Sequence, residues 1–380
     1  MTKTFVLAPD SFKESMSAEQ ACMAMQRGIL RAMPDAECIH VPMADGGEGT
    51  VDALIAALQG RRVECEVTGP LPAQKIQTYF GLIDEGKTAV IEMAKANGIH
   101  LLPMEQRNPL LTSTFGTGEM IAQALDLGVS KIILGLGGSV TNDGGAGMAQ
   151  ALGAQFYDAA GNAVQGCGGQ LGRIRKIDLS ALEPRLKSAE ILIASDVNNP
   201  LCGANGASAV FGPQKGADAK MVEILEQNLS HFADAAEAAA GRSCRNIAGA
   251  GAAGGLGFGL MAFAGAKIQS GVELVIAQCR LAEKIAQADY VFTGEGKIDF
   301  QTKFGKTPFG VAQAAAKLNK PVIAFAGLVG EGIEELYALG FTRIIGINPP
   351  GCALQDALNN AEMHLEDAAA ALMQNLAEHD

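Results

Sequence analysis

Short apolar runs alternate with longer amphipathic runs at both ends of the chain. This alternation is typical of βαβ units, in which helices connect neighbouring parallel strands. The apolar runs predict strands at 4–8, 38–43, 290–293, 321–326 and 343–347. The amphipathic runs predict helices at 17–32, 50–58, 307–318, 333–339 and 354–376. The first of these helices begins with Ser17 and Gln20, the two residues of a capping box.

The middle of the chain follows a different pattern. Three strand-like runs at 63–67, 76–83 and 88–93 follow one another without a helical run between them, which indicates antiparallel pairing. The remaining predicted elements are a helix at 114–127, strands at 131–134 and 190–195, and a helix at 221–240. This segment is therefore predicted to be a mixed α/β structure.

Together these elements predict an α/β protein with two domains. Residues 1–68 and 287–380 are predicted to form a discontinuous, Rossmann-like domain with a doubly wound parallel sheet. Residues 69–286 are predicted to form an inserted mixed α/β domain. A chain of 380 residues is long enough for two domains, because single cores rarely grow beyond about 250–300 residues. We expect the active site to lie in the cleft between the two domains.

Composition and charge exclude several classes of partner. The chain has 29 Lys and Arg residues and 41 Asp and Glu residues, so its formal net charge is −12. A nucleic acid would therefore be repelled. No apolar run is long enough to span a membrane, and the first residues lack the regions of a signal peptide. The eight cysteines have no metal-binding spacing, which is typical of a reducing compartment. We expect a cytoplasmic protein with small-molecule ligands, and homo-oligomer formation stays open.

Polar residues follow directly after five of the predicted strands. These residues are Asp10, Ser11 and Lys13, then Asp45 and Glu48, Asp143, Asp196 and Asn198, and finally Glu295, Lys297 and Asp299. Such residues also occur in turns and helix caps, but open α/β sheets bind ligands at the carboxyl ends of their strands. Carboxylates that face a phosphate need a cation between them, so this set favours Mg²⁺ and phosphoryl transfer.

The segment 294–307 ends like a nucleotide-binding P-loop but does not begin like one. Gly305, Lys306 and Thr307 supply the final G-K-[ST], whereas Phe300 occupies the position of the first glycine. Without that glycine the loop cannot wrap around the phosphates of a nucleotide. We instead predict a helix start with Thr307 as N-cap and Pro308 as first helical residue, where free amides and Lys306 could hold an anion.

A second glycine motif supports a different function. The segment GAGAAG, residues 249–254, matches the G-x-G-x-x-G dinucleotide fingerprint, and Glu273 follows at about the spacing of the ribose-binding acid. This motif would make the chain an NAD(P)-dependent oxidoreductase of small hydroxy acids. The residues before it are too polar for a central strand, and the glycine-rich run after it favours a closely packed helix. An oxidoreductase is therefore the alternative function, and it is less favoured than phosphoryl transfer.

Six segments, taken together, resemble a known family. They are APDSFKES (8–15), MADGGEGT (43–50), STFGTGEMI (113–121), GLGGSVTNDGGAGM (135–148), SDVNNPLCG (195–203) and TGEGKIDFQTKFGKTPFGVA (293–312). Over essentially its whole length, the chain resembles the bacterial type I glycerate kinases. The resemblance implies phosphorylation of D-glycerate by ATP with Mg²⁺, on the 2-hydroxyl in preference to the 3-hydroxyl, in two α/β domains that flank a cleft. Phe115 departs from the smaller residue expected at its position, which affects the local loop shape.

On the basis of this resemblance, we predict a role for each strand-end residue. Substrate binding is predicted for Asp10, Ser11, Lys13 and Glu48. Catalysis is predicted for Lys13, Asp45 and Asp299, with Asp45 or Asp299 accepting the proton of the substrate hydroxyl. ATP binding is predicted for Gly137, Gly138, Asn142, Asp143, Gly144, Gly145 and Lys306. Asp196 and Glu295 are the predicted ligands of Mg²⁺.

Overall fold

A computed structural model of the chain describes residues 2–377. Strands and helices alternate along these residues, and the predicted α/β class is confirmed. The strands are β1 (Thr4–Leu7), β2 (Glu37–His40), β3 (Arg61–Thr68), β4 (Lys75–Ile83), β5 (Thr88–Glu92), β6 (Lys131–Gly135), β7 (Gln155–Tyr157), β8 (Lys176–Asp178), β9 (Glu190–Ala194), β10 (Lys267–Gln269), β11 (Tyr290–Ile298), β12 (Val322–Val329) and β13 (Arg343–Gly346).

The helices occur along the whole described chain. They are α1 (Ala18–Ala32), α2 (Thr50–Leu58), α3 (Ala94–Asn97), α4 (Phe115–Asp126), α5 (Ala146–Ala151), α6 (Ala207–Phe211), α7 (Ala219–Ala240), α8 (Ala252–Ala264), α9 (Gly271–Gln278), α10 (Leu281–Ala286), α11 (Thr307–Ala316), α12 (Glu334–Ala338), α13 (Leu354–Asn359) and α14 (Ala361–Ala377). The predicted capping box of α1 is confirmed, because Ser17 and Gln20 each accept a hydrogen bond from the other's backbone N–H.

The chain divides into two units, of which the first contains residues 2–45, 52–59 and 270–377. Its five-stranded sheet has the order β13-β12-β11-β1-β2, and all neighbours are parallel. Phe5 and Phe292 point to one face and pack in a core with α1 and α14. Val6 and Val291, which alternate with them, are also fully buried. Both faces of the sheet are therefore covered, as expected for a doubly wound sheet.

The order in which the chain adds strands to this sheet reverses between β1 and β11, although all strands are parallel. From β1 the chain continues to β2 on one side, whereas β11, β12 and β13 follow one another on the other side. Open α/β sheets bind ligands outside the carboxyl ends of their strands at such a reversal. The carboxyl ends of β1 and β11 are therefore the expected ligand-binding edge of this unit.

The second unit contains residues 46–51 and 60–269. Its six-stranded sheet has the order β10-β9-β6-β5-β4-β3. The predicted antiparallel pairing is confirmed for β3 with β4 and for β4 with β5, while the remaining neighbours are parallel. The segment 46–51 covers the carboxyl ends of the parallel strands: the Val51 N–H donates to Glu92 at 2.8 Å, and a Cβ on Gly135 would lie 2.5 Å from the Gly46 oxygen.

Several boundaries differ from the sequence prediction. Strand β3 pairs with β4 along its full length, so it belongs to the second unit and not to the terminal domain predicted for 1–68. The C-terminal part of the first unit begins at residue 270, not 287, because it includes α9 and α10. The predicted helix 354–376 is divided at Asn360 into α13 and α14. Strand β10 was not predicted, because three residues are too few to give a pattern.

Two further features concern the thiols and the helices. All eight cysteines are free, and five of them are buried, whereas Cys38, Cys202 and Cys352 are half-buried. Among the helices of residues 2–377, none combines the length and the apolar character that crossing a bilayer requires.

Candidate active site

Two acidic residues meet where the sheet of the first unit reverses. Asp10 follows β1, and its N–H donates to the carbonyl oxygen of Gly294 on β11 at 2.8 Å. Glu295 is the next residue of β11 and is half-buried. The charge of Asp10 contributes to the raised pKa of Glu295. Two residues predicted from separate loops therefore lie at the same edge of one sheet.

The electrostatics of this edge raise the pKa of both acids. Desolvation, followed by the nearby charge of Asp45, raises the pKa of Asp10 to about 6. Desolvation also raises the pKa of Glu295 to about 7. Two hydroxyl groups oppose these shifts: Thr302 donates to Glu295 at 3.1 Å, and Thr307 donates to Asp10. Acids that titrate near neutral pH are suited to proton transfer and are frequent at catalytic sites.

Ser11 and Lys13 follow Asp10 in a tight turn. The Ser11 N–H donates to the Asp10 carboxylate at 2.6 Å, so it helps to position that group. Phe12 and Met16 form an antiparallel bridge around the turn. Lys13 lies at the tip and is exposed. The structure therefore places a solvent-accessible cation next to the acidic edge.

Asp299 is engaged within its own loop. The side chain is buried, with 3% exposure, and it pairs with Lys297 at 2.7 Å and accepts from the Gln301 N–H at 2.9 Å. The hydrogen bond from Lys297 holds the pKa of Asp299 below its ordinary value. A carboxylate with a lowered pKa is a weak proton acceptor. This geometry makes Asp299 a poor proton acceptor.

The start of α11 corrects the predicted helix cap. Lys306, and not Thr307, occupies the N-cap position, and Pro308 lies in the first turn. Thr307 is the first helical residue, and its hydroxyl donates to Asp10. The Nζ atom of Lys306 lies 3.4 Å from Glu295. Lys306 therefore adds positive charge to the acidic edge.

The glycine-rich loop after β6 has an exposed tip and a buried base. Gly137 and Gly138 form the exposed tip, and Gly138 has a φ of 73°, which strongly favours glycine. Gly144 and Gly145 are buried, and their N–H groups donate to the Gly254 oxygen at 3.0 Å and to Asp143 at 3.1 Å. The amides of Gly144 and Gly145 therefore have partners within the protein, and their predicted phosphate contact stays a prediction.

Asn142 and Asp143 are fully buried and anchor the same loop. Asp143 accepts four hydrogen bonds, at 2.8 to 3.1 Å, from the N–H and hydroxyl of Thr114 and from the N–H groups of Gly145 and Gly147. Burial raises the pKa of Asp143 despite these donors. The Asn142 amide donates to Ser208 at 2.9 Å. Both side chains help to shape the loop, and their predicted part in ATP binding stays a prediction.

Glu48 and Asp196 are both exposed in the second unit. Glu48 lies in the segment 46–51, and the neighbouring Gly47 approaches the glycine-rich loop so closely that a Cβ on Gly137 would lie 3.1 Å from its Cα atom. Asp196 lies in the irregular segment that follows β9. The carboxyl edge of this sheet therefore carries two acidic side chains and the exposed tip of the glycine-rich loop.

The motif at 249–254 does not form a dinucleotide-binding turn. Residues 241–251, which precede α8, form turns instead of a strand, and Ala253, Gly254 and Gly255 have left-handed backbones inside the first turn of α8. A Cβ on Gly254 would collide with the carbonyl oxygen of Thr141. Every residue of α8 is buried. These glycines allow α8 to pack against the glycine-rich loop, so the alternative of an oxidoreductase loses its supporting motif.

Sequence reasoning missed Lys215, which reaches the glycine-rich loop. Lys215 ends a short 3₁₀ turn, Pro213–Lys215, and its side chain is 1% exposed. Its Nζ atom donates to the Ser139 hydroxyl at 2.8 Å and to the Thr141 carbonyl oxygen at 2.6 Å. Desolvation lowers the pKa of Lys215 to about 7. A lysine between a glutamine and a glycine gives no sequence signal of burial.

Neither of two cavities is lined by a predicted site residue. One of about 520 Å³ is lined by β13 and α14, and one of about 300 Å³ is lined by residues that include Ser113 and Phe115. Within residues 2–377, no group of three or more His, Cys, Asp or Glu side chains is arranged to hold a metal ion. Mg²⁺ ligation by Asp196 and Glu295 stays a prediction, as does the cleft between the two domains.

Comparison with known proteins gives one consistent result. The chain matches the model of the glycerate kinase family over residues 5–377. It is 50% identical to the glycerate kinase of Haemophilus influenzae over 96% of each chain, and 48% identical to the glycerate 2-kinase of Escherichia coli over 94% of this chain and 93% of that one. A crystal structure from Salmonella typhimurium LT2, described as a candidate glycerate kinase 2, superposes with a TM-score of 0.91 at 45% identity and covers 100% of this chain and 99% of its own.

Proposed function

Because this chain belongs to the glycerate kinase family, and is therefore a kinase with an alcohol group as acceptor, we propose that it phosphorylates the 2-hydroxyl of D-glycerate with ATP and Mg²⁺. The observation that carries this proposal is the meeting of Asp10 and Glu295 at the reversal of the first sheet, with the charge of Asp45 nearby. The name of the Escherichia coli relative supports the 2-position.

Lys13 binds the carboxylate of glycerate in this proposal. Glycerate is an anion, and Lys13 is an exposed cation next to the acidic edge. Ser11 and Asp10 are joined by a hydrogen bond of 2.6 Å, so they form a preorganised polar pair for a substrate hydroxyl. Glu48 is assigned to a second hydroxyl contact. Phosphoryl transfer depends mainly on such positioning and on charge stabilisation.

Asp45 accepts the proton of the 2-hydroxyl as the phosphoryl group is transferred. Of the two predicted acceptors, Asp299 has both carboxylate oxygens engaged with Lys297 and Gln301. Asp45 lies close enough to Asp10 to raise its pKa. A positioned carboxylate that takes the hydroxyl proton contributes about 10²–10⁴-fold to the rate.

Gly137, Gly138 and Lys306 are the proposed contacts for the phosphates of ATP. The fit is supported by the exposed glycine turn after β6, where the backbone amides can be approached closely. Lys306 stands at the start of α11, a position that favours anions because the first helical amides have no partner within the helix. Asn142, Asp143, Gly144 and Gly145 hold the shape of the turn from beneath.

Glu295 and Asp196 are the proposed protein ligands of Mg²⁺. Protein sites for Mg²⁺ commonly supply only one or two carboxylates, and phosphate oxygens and water complete the shell. Glu295 is half-buried on β11 and Asp196 is exposed after β9, so each can supply one carboxylate oxygen. When bound, Mg²⁺ neutralises the negative charge of the phosphates. The predicted cleft between the two domains remains part of this proposal.

A coupled assay for ADP release tests the proposal. We expect ADP to appear only when enzyme, ATP, Mg²⁺ and D-glycerate are all present, and a panel of small hydroxy acids should show glycerate as the preferred acceptor. The matched control is Asp45→Asn, which should fold as the wild type does and release little ADP. ADP release that does not depend on glycerate would contradict the proposal, and so would a glycerate-dependent change of NAD(P)H absorbance in place of ADP release.

A further inference from the structure

Lys215 is a buried cation that the mechanism described so far does not use. Its side chain is 1% exposed, yet no carboxylate forms an ion pair with its Nζ atom within the part of the chain described. Burial of an unpaired charge is costly, and most lysines remain at the surface. The protein tolerates this cost at one side of the glycine-rich loop.

Both hydrogen bonds of the Lys215 side chain are made to that loop. Nζ donates to the Ser139 hydroxyl at 2.8 Å and to the Thr141 carbonyl oxygen at 2.6 Å. Ser139 directly follows the exposed turn of Gly137 and Gly138. Lys215 thus holds the backbone immediately after the proposed phosphate contacts.

The segment formed by α6 and the turn that carries Lys215 makes a further hydrogen bond to the loop. Ser208 on α6 accepts the hydrogen bond of the Asn142 amide at 2.9 Å, and the turn that carries Lys215 follows α6 directly. Two buried oxygens of the loop, Thr141 Oγ1 and Asn142 Oδ1, have no hydrogen-bond partner among residues 2–377. Because buried polar groups are rarely left unsatisfied, the interior of this loop is a polar environment with capacity for another donor or water.

One opposite charge is close to Lys215. Asp143 acts on it electrostatically and favours its charged form, although the Asp143 oxygens are used by Thr114, Gly145 and Gly147. Arg107 approaches the same turn through its backbone oxygen. Lys215 and Asp143 are therefore two neighbouring ionisable side chains buried at this loop.

We propose that Lys215 is a positioning residue for ATP, which fixes the turn of Gly137 and Gly138 and supplies positive charge behind it. This inference rests on the proposed function for the identity of the nucleotide. Lys215 has no need to touch the phosphates. Its hydrogen bonds keep the exposed amides in place, and its charge stabilises an anion at the turn. Since negative phosphate favours the charged lysine, ATP binding should be linked to proton uptake at Lys215.

Calorimetric titration of ATP into the intact protein tests the inference without relying on turnover. Lys215→Met should weaken ATP binding by about tenfold or more, as expected for loss of hydrogen bonds to a charged group. The variant should raise the KM for ATP more than the KM for glycerate. Lys220→Met, which removes an exposed lysine from the same unit, is the matched control and should bind as the wild type does.

Two further measurements separate positioning from simple stability. Wild-type affinity for ATP should fall as the pH rises above about 7, and Lys215→Met should lack that part of the pH dependence. If Lys215→Met does not fold, Ser139→Ala, which keeps the charge and removes one contact, should weaken ATP binding severalfold. Wild-type-like ATP affinity in Lys215→Met or Ser139→Ala would overturn the inference. ATP binding without glycerate phosphorylation by the wild type would overturn only the proposed function.

Discussion

The hydroxyl of Thr307 donates a hydrogen bond to the carboxylate of Asp10. The two residues are 297 positions apart in the sequence, and they meet because β1 and β11 are neighbours in one parallel sheet. This contact joins the first strand-end loop to the segment that resembles the end of a P-loop. Thr307 therefore donates its hydroxyl to a carboxylate, whereas the threonine of a P-loop binds the Mg²⁺ of the nucleotide.

Replacing Thr307 by Val should raise the pKa of Asp10. The hydrogen bond stabilises the ionised carboxylate, so its loss moves the pKa from about 6 to a higher value. Carbon-detected NMR titration of the aspartate carboxyl groups measures this shift directly. The activity at pH 6 should fall severalfold, since less Asp10 is ionised there. The control is Thr342→Val, which removes a threonine contact elsewhere in the same unit and should leave the pKa of Asp10 unchanged. If Thr307→Val also left the pKa of Asp10 unchanged, the role assigned to Thr307 would be refuted.

Asp45→Asn and Asp299→Asn should have unequal effects on turnover. Loss of the proposed proton acceptor Asp45 should lower kcat by about 100-fold or more. Asp299→Asn disturbs an ion pair and a capping contact and should lower kcat by less than about tenfold, with most of its effect on thermal stability. Steady-state kinetics and melting curves of both variants check this order. A larger loss of kcat in Asp299→Asn would return the base to Asp299.

Asp196→Asn should separate metal binding from folding. Asp196 is exposed in the segment after β9, so its replacement should shift the melting temperature by no more than a few degrees. Turnover should fall by about 100-fold or more, and the Mg²⁺ concentration for half-maximal activity should rise. Asn198→Ala, in the same segment, serves as the control with near-normal kinetics. An unchanged Mg²⁺ dependence in Asp196→Asn would remove that residue from the metal site.

Lys215 should make the folded state more stable as the pH rises. Its pKa is about 7 in the folded protein and near 10.4 in an unfolded chain, so the unfolded chain holds more protons between these values. Stability contributed by this group therefore increases from about pH 7 towards pH 10. Urea unfolding of wild type and Lys215→Met at pH 7 and pH 9 measures the effect. The free energy of unfolding of the wild type should rise relative to the variant, and a constant difference would contradict the lowered pKa.

The strand-end loops could be identified from the sequence because their signal is local. An apolar run followed directly by Asp, Ser or Gly is visible in a few residues, and the reversal rule for parallel sheets then predicts where these residues lie. Asp10 and Glu295 both follow this pattern, and the structure brings them to one edge. The capping box of Ser17 and Gln20 is equally local and was also correct.

The roles within the loops could not be predicted, since they depend on contacts distant in the sequence. Asp143 and Asp196 look alike as acids after a strand, but one is buried under four hydrogen bonds and the other is exposed. Gly144 and Gly138 both have a positive φ, but one is buried and the other is exposed. The burial of Lys215 arises from a loop more than 70 residues earlier in the chain, and no local pattern contains that information.

The most direct measurement is phosphorus NMR, coupled to protons, of the product that the wild-type protein forms from D-glycerate, ATP and Mg²⁺. Transfer to the 2-hydroxyl predicts a phosphoester resonance coupled to the single proton on C2. Coupling to the two methylene protons on C3 would contradict the proposed position, and the absence of any phosphoester resonance would contradict the proposed reaction.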